Sequence, residues 1–158
     1  MQKITPCLWF DTEGEEAAQF YTSVFPNSQI VEVTRYGSAG PRAEGTVMTV
    51  TFELDGQHFM ALNGGPDFKF NEAISLEVHC ESQDEVDSYW SALTGDGGEE
   101  GPCGWLKDKY GVSWQIVPNV LSELISDPDQ AKAQRVMAAM LQMGKIEIAE
   151  LEKAAAAA

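Results

Sequence analysis

Apolar and polar positions along the chain follow a pattern that occurs twice. The first copy opens with Ile4-Thr5-Pro6-Cys7-Leu8-Trp9-Phe10, a short strand-like run. Thr12-Glu13-Gly14-Glu15 follows and reads as a capping box, in which a hydroxyl and a carboxylate satisfy the unpaired N–H groups at a helix start. Ala17, Phe20, Tyr21, Val24 and Phe25 then recur at helical spacing, and Pro26-Asn27 stops the helix. Strand-like stretches cover 29–36, 46–54 and 57–62, the last two joined by Asp55-Gly56, a strong two-residue hairpin signal.

The second copy begins with Ala73-Ile74-Ser75-Leu76-Glu77-Val78-His79, where Ile74, Leu76 and Val78 alternate with polar or small residues. Ser82-Gln83-Asp84-Glu85 is again a capping box, and Val86, Tyr89, Trp90 and Leu93 stripe one helix face. Short strands are expected at 99–100, 104–107 and 112–117. The two cap positions, Thr12 and Ser82, lie 70 residues apart. Each copy reads β-α-β-β-β, an α+β arrangement. The expected organisation is a first module at 1–64, a second at 65–119 and a helical tail at 120–158, with Asn63-Gly64-Gly65-Pro66-Asp67 as the joint. In the tail, Ser126-Asp127-Pro128-Asp129 predicts a helix start with Pro128 in its first position, and Gly144 ends that helix. A second tail helix is expected over 146–153. The stripe Ala133, Val136, Met137, Met140 and Leu141 suits packing on the same domain or on a partner subunit. Ala154 to Ala158 carry no readable signal.

Composition narrows the function. The 158 residues hold 25 Asp and Glu against 10 Lys and Arg, a formal charge of −15. The basic residues form no cluster, so a nucleic-acid partner, which requires dense positive charge, is not expected. No apolar run approaches the roughly 20 residues of a membrane span. Met1 to Pro6 lacks the basic and apolar segments of a signal peptide, so a cytoplasmic protein is expected. Cys7, Cys80 and Cys103 form neither a disulfide framework nor a zinc ribbon.

Two β-α-β-β-β copies resemble the vicinal oxygen chelate superfamily, which includes glyoxalase I, bleomycin and fosfomycin resistance proteins and extradiol dioxygenases. The strings Pro6 to Asp11, Phe20-Tyr21, Ala61 to Pro66, Cys103 to Leu106, Asp108 to Pro118 and Lys145 to Ile148 are similar to its PhnB-like branch, often labelled 3-demethylubiquinone 3-methyltransferase. The resemblance implies two half-open sheets around a concave cavity, with helices outside, and a homodimer. It also implies a divalent metal held by His, Glu or Gln. At the matching positions this chain has Ala73, Gln115 and Thr5 or Ile4, with Asn63 nearest at the end of the fourth strand, so the usual metal site reads as dismantled. The methyltransferase label finds no support in the sequence, because Gly64-Gly65 precedes no strand–helix crossover of the kind that cradles a methyl donor.

Strand alternation places Ala73, Ser75, Glu77 and His79 opposite the helix-packed side, facing the cavity. Glu77 is the candidate general base, with pairing to Lys107 as the structural alternative. A replacement metal set would comprise Glu77, His79 and Gln115; the alternative for His79 is an ordinary solvated residue beside Glu81. Trp9, Phe68, Phe70 and Trp105 are candidate apolar walls for a small organic ligand, with core packing as the alternative. Phe68-Lys69-Phe70 alternates, which sends both rings to one side of an extended segment. Asn63, Ser75 and Gln115 would supply hydrogen bonds to the ligand. No cofactor is expected. The competing readings are a divalent-metal lyase, isomerase or dioxygenase, and a dimeric interaction protein whose cavity is filled by its own side chains.

Overall fold

The computed structural model describes residues 2–157 and divides into two compact units after Phe70. In the first unit, β1 (Cys7–Phe10) leads into α1 (Gly14–Val24), and β2 (Gln29–Arg35), β3 (Val47–Leu54) and β4 (Gln57–Asn63) follow. The sheet order is β1-β4-β3-β2, with β1 parallel to β4 and the other pairs antiparallel. Strand alternation separates its faces. Leu8, Phe10, Val50, Phe52, Phe59 and Ala61 are buried together with Ala17, Ala18 and Tyr21 of α1. Tyr21, Phe52 and Phe59 form a column, with ring centroids 6.2 Å and 5.6 Å apart along it. Each such ring buried is worth about 1.5–3 kcal/mol by transfer. Asp55 and Gly56, at φ +48° and +81°, form the expected left-handed hairpin turn.

The second unit repeats the plan. β5 (Ser75–Cys80), α2 (Gln83–Thr94), β6 (Glu99–Glu100), β7 (Trp105–Lys107) and β8 (Ser113–Pro118) give the order β5-β8-β7-β6, again with the first and last strands parallel. Trp114 and Ile116 of β8 are buried with Val86, Trp90 and Leu93 of α2. Ser82 caps α2 as expected, accepting from the Glu85 nitrogen at 3.2 Å, while the Glu85 carboxylate accepts from the Glu81 nitrogen at 2.8 Å.

The tail forms α3 (Asn119–Ile125), α4 (Gln130–Met140) and α5 (Ile148–Ala156), and all three pack within the second unit. Val117, Leu121, Val136, Ile146 and Leu151 make its core, with Met140 and Met143 against them. The Met-bearing stripe therefore finds its partners on its own unit, although Leu141 stays 57% exposed. Gln83 holds the tail to the start of α2: its side chain donates to the Ile146 carbonyl at 3.0 Å and accepts from the Ile148 nitrogen at 2.7 Å.

Four local expectations change. Thr12 does not cap α1; position 13 flanks the helix without a side-chain bond, and the acceptor for the Gly14 nitrogen comes from Asn63 on β4. The second module's first strand starts at Ser75, so Ala73 lies in a turn and Ile74 is 76% exposed instead of in the core. Pro128 precedes α4 rather than opening it, because Asp129 takes the cap by accepting from the Lys132 nitrogen. Ile146 is fully buried ahead of α5 rather than inside it, and α3 had no counterpart in the sequence reading.

Candidate functional site

The helix-free face of the second sheet gathers several polar side chains in cross-strand rows. Register sets Glu77, Gln115 and Trp105 side by side, and Ser75, Ser113 and Lys107 in the neighbouring row. Gln115 Nε2 donates to Ser75 Oγ at 2.9 Å. Glu77 stands 3.9 Å from His79 Nε2, with 44% of its side chain exposed. Lys107 pairs with Glu72 and not with Glu77. Their hydrogen bond holds the Glu72 carboxyl below the usual carboxylate range and Lys107 above the usual ammonium range.

Beside these rows lies a cavity of about 460 Å³ lined by Glu72, Pro102, Cys103, Trp105, Lys107 and Ser113, among others. Ser113 is only 1% exposed, and its hydroxyl has no hydrogen-bond partner among the described residues. A buried hydroxyl without a partner costs about 1–3 kcal/mol relative to a satisfied one. The turn that shapes the rim is set by left-handed backbone at Cys103 (φ +57°) and Gly104 (φ +83°). The tail fixes that turn, since the Cys103 and Gly104 nitrogens donate to the Met143 and Gly144 carbonyls, each at 2.8 Å. Gly104 is needed there: a Cβ would meet the Ile116 carbonyl oxygen at 2.9 Å.

The β7–β8 turn is organised by Asp108, which is 2% exposed. Its carboxylate accepts from the Tyr110 and Val112 nitrogens at 2.8 and 3.1 Å and from the Trp114 indole at 2.9 Å. Trp114 is thus a core residue that also anchors the turn, and it leaves Gln115 on the opposite face. Burial, reinforced by the Glu85 carboxylate, pushes the Cys80 thiol up to about 12. That thiol is a packing group rather than a nucleophile.

The first unit distributes its candidates differently. Trp9 lies on the helix-free face, in register with Leu62 and Thr49. Its indole donates to the Gly65 carbonyl at 2.9 Å and meets Phe68 edge-on at 4.9 Å. Phe70 meets Phe10 at 5.2 Å, and Phe10 is buried on the helix-packed face. The two rings expected on one side therefore contact neighbours that leave β1 in opposite directions. Asn63 is buried; its oxygen accepts from the Gly14 nitrogen at 2.7 Å and its amide donates to the Val47 carbonyl at 3.2 Å. Within the second unit the structure brings together Ser75, Glu77, Trp105 and Gln115; within the first, Trp9 and Phe68. The sequence reading missed Ser113, although its spacing of two from Gln115 places it on the same strand face.

The sequence profile of the family described as 3-demethylubiquinone-9 3-methyltransferase matches residues 2–117. A PhnB protein structure from Bacillus cereus with the same methyltransferase description is 43% identical, with a TM-score of 0.66 over 74% of this chain and 99% of that one. The chain belongs to the PhnB-like branch of the vicinal oxygen chelate superfamily. More distant solved structures share its fold. The Pseudomonas aeruginosa protein PA1353 is 19% identical, with a TM-score of 0.61 over 75% of this chain and 98% of that one. A fosfomycin resistance protein, FosX, from Listeria monocytogenes is 14% identical, with a TM-score of 0.53 over 78% of this chain and 97% of that one. Curated proteins yield no match.

Membership raises the question of a metal, and the positions that would hold one in this PhnB-like chain carry few donor atoms. Ala73 has no donor atom and sits in a turn ahead of β5. The Gln115 amide is directed to Ser75. Among the described residues, no three His, Cys, Asp or Glu side chains gather into a group suited to a metal ion. The family's methyltransferase description likewise has no counterpart in the architecture, since both sheets are mixed and four-stranded and Gly64-Gly65 opens no helix.

Proposed function

We propose that this PhnB-like protein binds a small, partly apolar organic molecule on the helix-free face of the second unit's sheet, without the metal usual in the superfamily. The observation that supports the reading is Ser113, which lines a cavity of about 460 Å³ and whose buried hydroxyl lacks a partner among the described residues. A pocket of this size, apolar with a few polar groups, suits a small ligand. Trp105 supplies the wall and Ser113 the hydrogen bond. The Ser75–Gln115 pair offers a second polar contact, and Glu77 is the carboxylate assigned to any proton transfer. Trp9 and Phe68 offer an apolar surface on the first unit for the same class of molecule, whereas Asn63 and Phe70 serve the interior of that unit.

The reading includes a cytoplasmic homodimer with no nucleic-acid or membrane partner. The charge of −15 argues against a polyanionic partner. Among the described residues, no helix is long and apolar enough to cross a membrane. Val31 and Val33 are exposed on edge strand β2 and suit a subunit contact. Light scattering is expected to return twice 17.3 kDa.

The ligand reading is tested by a thermal-shift and tryptophan-quenching screen with quinones, thiol conjugates and aromatic compounds. At least one is expected to stabilise the protein, with the effect lost in Ser113→Val and Trp105→Ala. A flat screen, or binding indifferent to both substitutions, overturns the site. Stoichiometric divalent metal in untagged protein, abolished by Glu77→Ala and His79→Ala, overturns the metal-free reading.

A further inference from the structure

A second cavity lies within the first unit, and its chemistry is different. It also measures about 460 Å³, and Arg35 and Arg42 line it together with Thr12, Glu15, Thr46 and Asn63. The chain has only three arginines, and its formal charge is −15. Two of its three arginines therefore line one hollow in a strongly acidic protein. The third, Arg135, is engaged elsewhere, donating to the carbonyls of Ala154 and Ala155.

Neither arginine of the cavity is saturated. Arg35 Nη1 donates to the Gly45 carbonyl at 3.0 Å. Arg42 Nη2 reaches Asp11 only at 3.5 Å, long for a charge-assisted hydrogen bond, and both side chains of that pair are partly exposed. The other N–H groups of both guanidiniums have no acceptor among the described residues. Arg42 is nonetheless positioned: it lies over Gly65 (φ +107°), where a Cβ would stand 2.6 Å from Nη1. Arg35 is held at the end of β2, next to Tyr36, whose hydroxyl donates to the Asn63 carbonyl at 2.6 Å. Thr12 lines the same cavity, and its hydroxyl has no partner among the described residues. The opposing charges are Glu15, which lines the cavity, and Asp11 beside Arg42.

Planar guanidinium forks with unused donors recognise tetrahedral or carboxylate oxygens by paired hydrogen bonds. We propose that this first-unit cavity binds the phosphate group of a small ligand, either inorganic phosphate or a phosphomonoester, through Arg35 and Arg42. The site is independent of the organic-ligand site proposed for the second unit. An incoming phosphate displaces Asp11 from its long contact with Arg42 and takes the donors that have no acceptor among the described residues.

The test titrates the full chain with inorganic phosphate and with phenyl phosphate, at ionic strength held constant with sodium chloride, following thermal midpoint and phosphorus NMR linewidth. Saturable binding is expected, weakened about tenfold or more by Arg42→Gln and by Arg35→Gln, and less by Arg42→Lys, which keeps the charge and loses the fork. Tighter binding of phenyl phosphate identifies a phosphomonoester, and tighter binding of inorganic phosphate identifies the free anion. Circular dichroism confirms that each variant is folded; should Arg42→Gln fail to fold, Arg35→Gln and Arg42→Lys carry the comparison. Absence of saturable binding by either probe overturns the proposal, as does an affinity unchanged in the folded arginine variants.

Discussion

The side-chain oxygen of Asn63 stands 2.7 Å from the backbone nitrogen of Gly14, so a residue at the end of β4 caps a helix that begins 49 positions earlier. The contact is tight enough to restrict both partners. A Cβ on Gly14 would lie 2.6 Å from that oxygen and 3.3 Å from the Ala61 methyl.

Asn63→Ala is expected to destabilise the protein by about 1–3 kcal/mol, since it removes a helix cap and strands a buried N–H. Gly14→Ala is expected to cost a similar amount, about 1–3 kcal/mol, through overpacking, despite alanine's better helix propensity. Urea denaturation of each variant checks both. Midpoints equal to wild type would show that the cap contributes nothing.

Trp114→Phe keeps an aromatic ring in the core but removes the indole donor from the buried Asp108 carboxylate. A loss of about 1–3 kcal/mol is expected. Because Asp108 also gathers the Tyr110 and Val112 nitrogens, hydrogen exchange should accelerate in the β7–β8 turn before it does in the first unit.

Gly64 lies directly against Trp9, and a Cβ at that position would overlap the indole ring. Gly64→Ala is expected to displace Trp9, break its bond to the Gly65 carbonyl and alter its packing on Phe68. Intrinsic fluorescence of a variant retaining Trp9 as its sole tryptophan should shift; an unchanged spectrum would mean that the linker, not the ring, gives way.

Lys145 bridges Asp87 at 2.7 Å and ties the tail to α2. Its hydrogen bond holds the Asp87 carboxyl below its ordinary value of 3.8, and Asp87 in turn holds Lys145 above 10.5. A depressed carboxyl stabilises fully above its unfolded value and loses that contribution as pH falls through the lower folded value. A raised ammonium stabilises fully below its unfolded value and loses that contribution as pH rises through the higher folded value. Tail protection, read by hydrogen exchange at α5, should therefore hold from about pH 4 to 10 and weaken outside it. Asp87→Asn should remove the acid-side loss and lessen the alkaline one, which Glu147 also supports at 3.5 Å from Lys145, while Gln83 still clasps Ile146 and Ile148.

The duplicated β-α-β-β-β plan was legible in the chain because its signals are local. Strand alternation, the Ser82 cap and the Asp55-Gly56 turn each depend on residues a few positions apart, and the structure bears each of them out. Period-two alternation put Ser75 and Glu77 on the open face, the family resemblance singled out Gln115, and strand register then set Gln115 and Trp105 beside Glu77. What failed was local inference applied where a distant group competed. Thr12 lost its cap role to Asn63, and Ile146 left its expected helix because Gln83 holds its carbonyl.

The amino-acid sequence by itself determined the two modules, their helices and the polar face of the second sheet, since hydrophobic periodicity and turn chemistry operate within one element. Only the tertiary structure decided that Phe68 and Phe70 take separate partners, that the Ser113 hydroxyl is buried without one among the described residues, and that Arg35 and Arg42 share a cavity. Each of those outcomes depends on strand register and loop closure, which bring together groups that no short-range pattern relates.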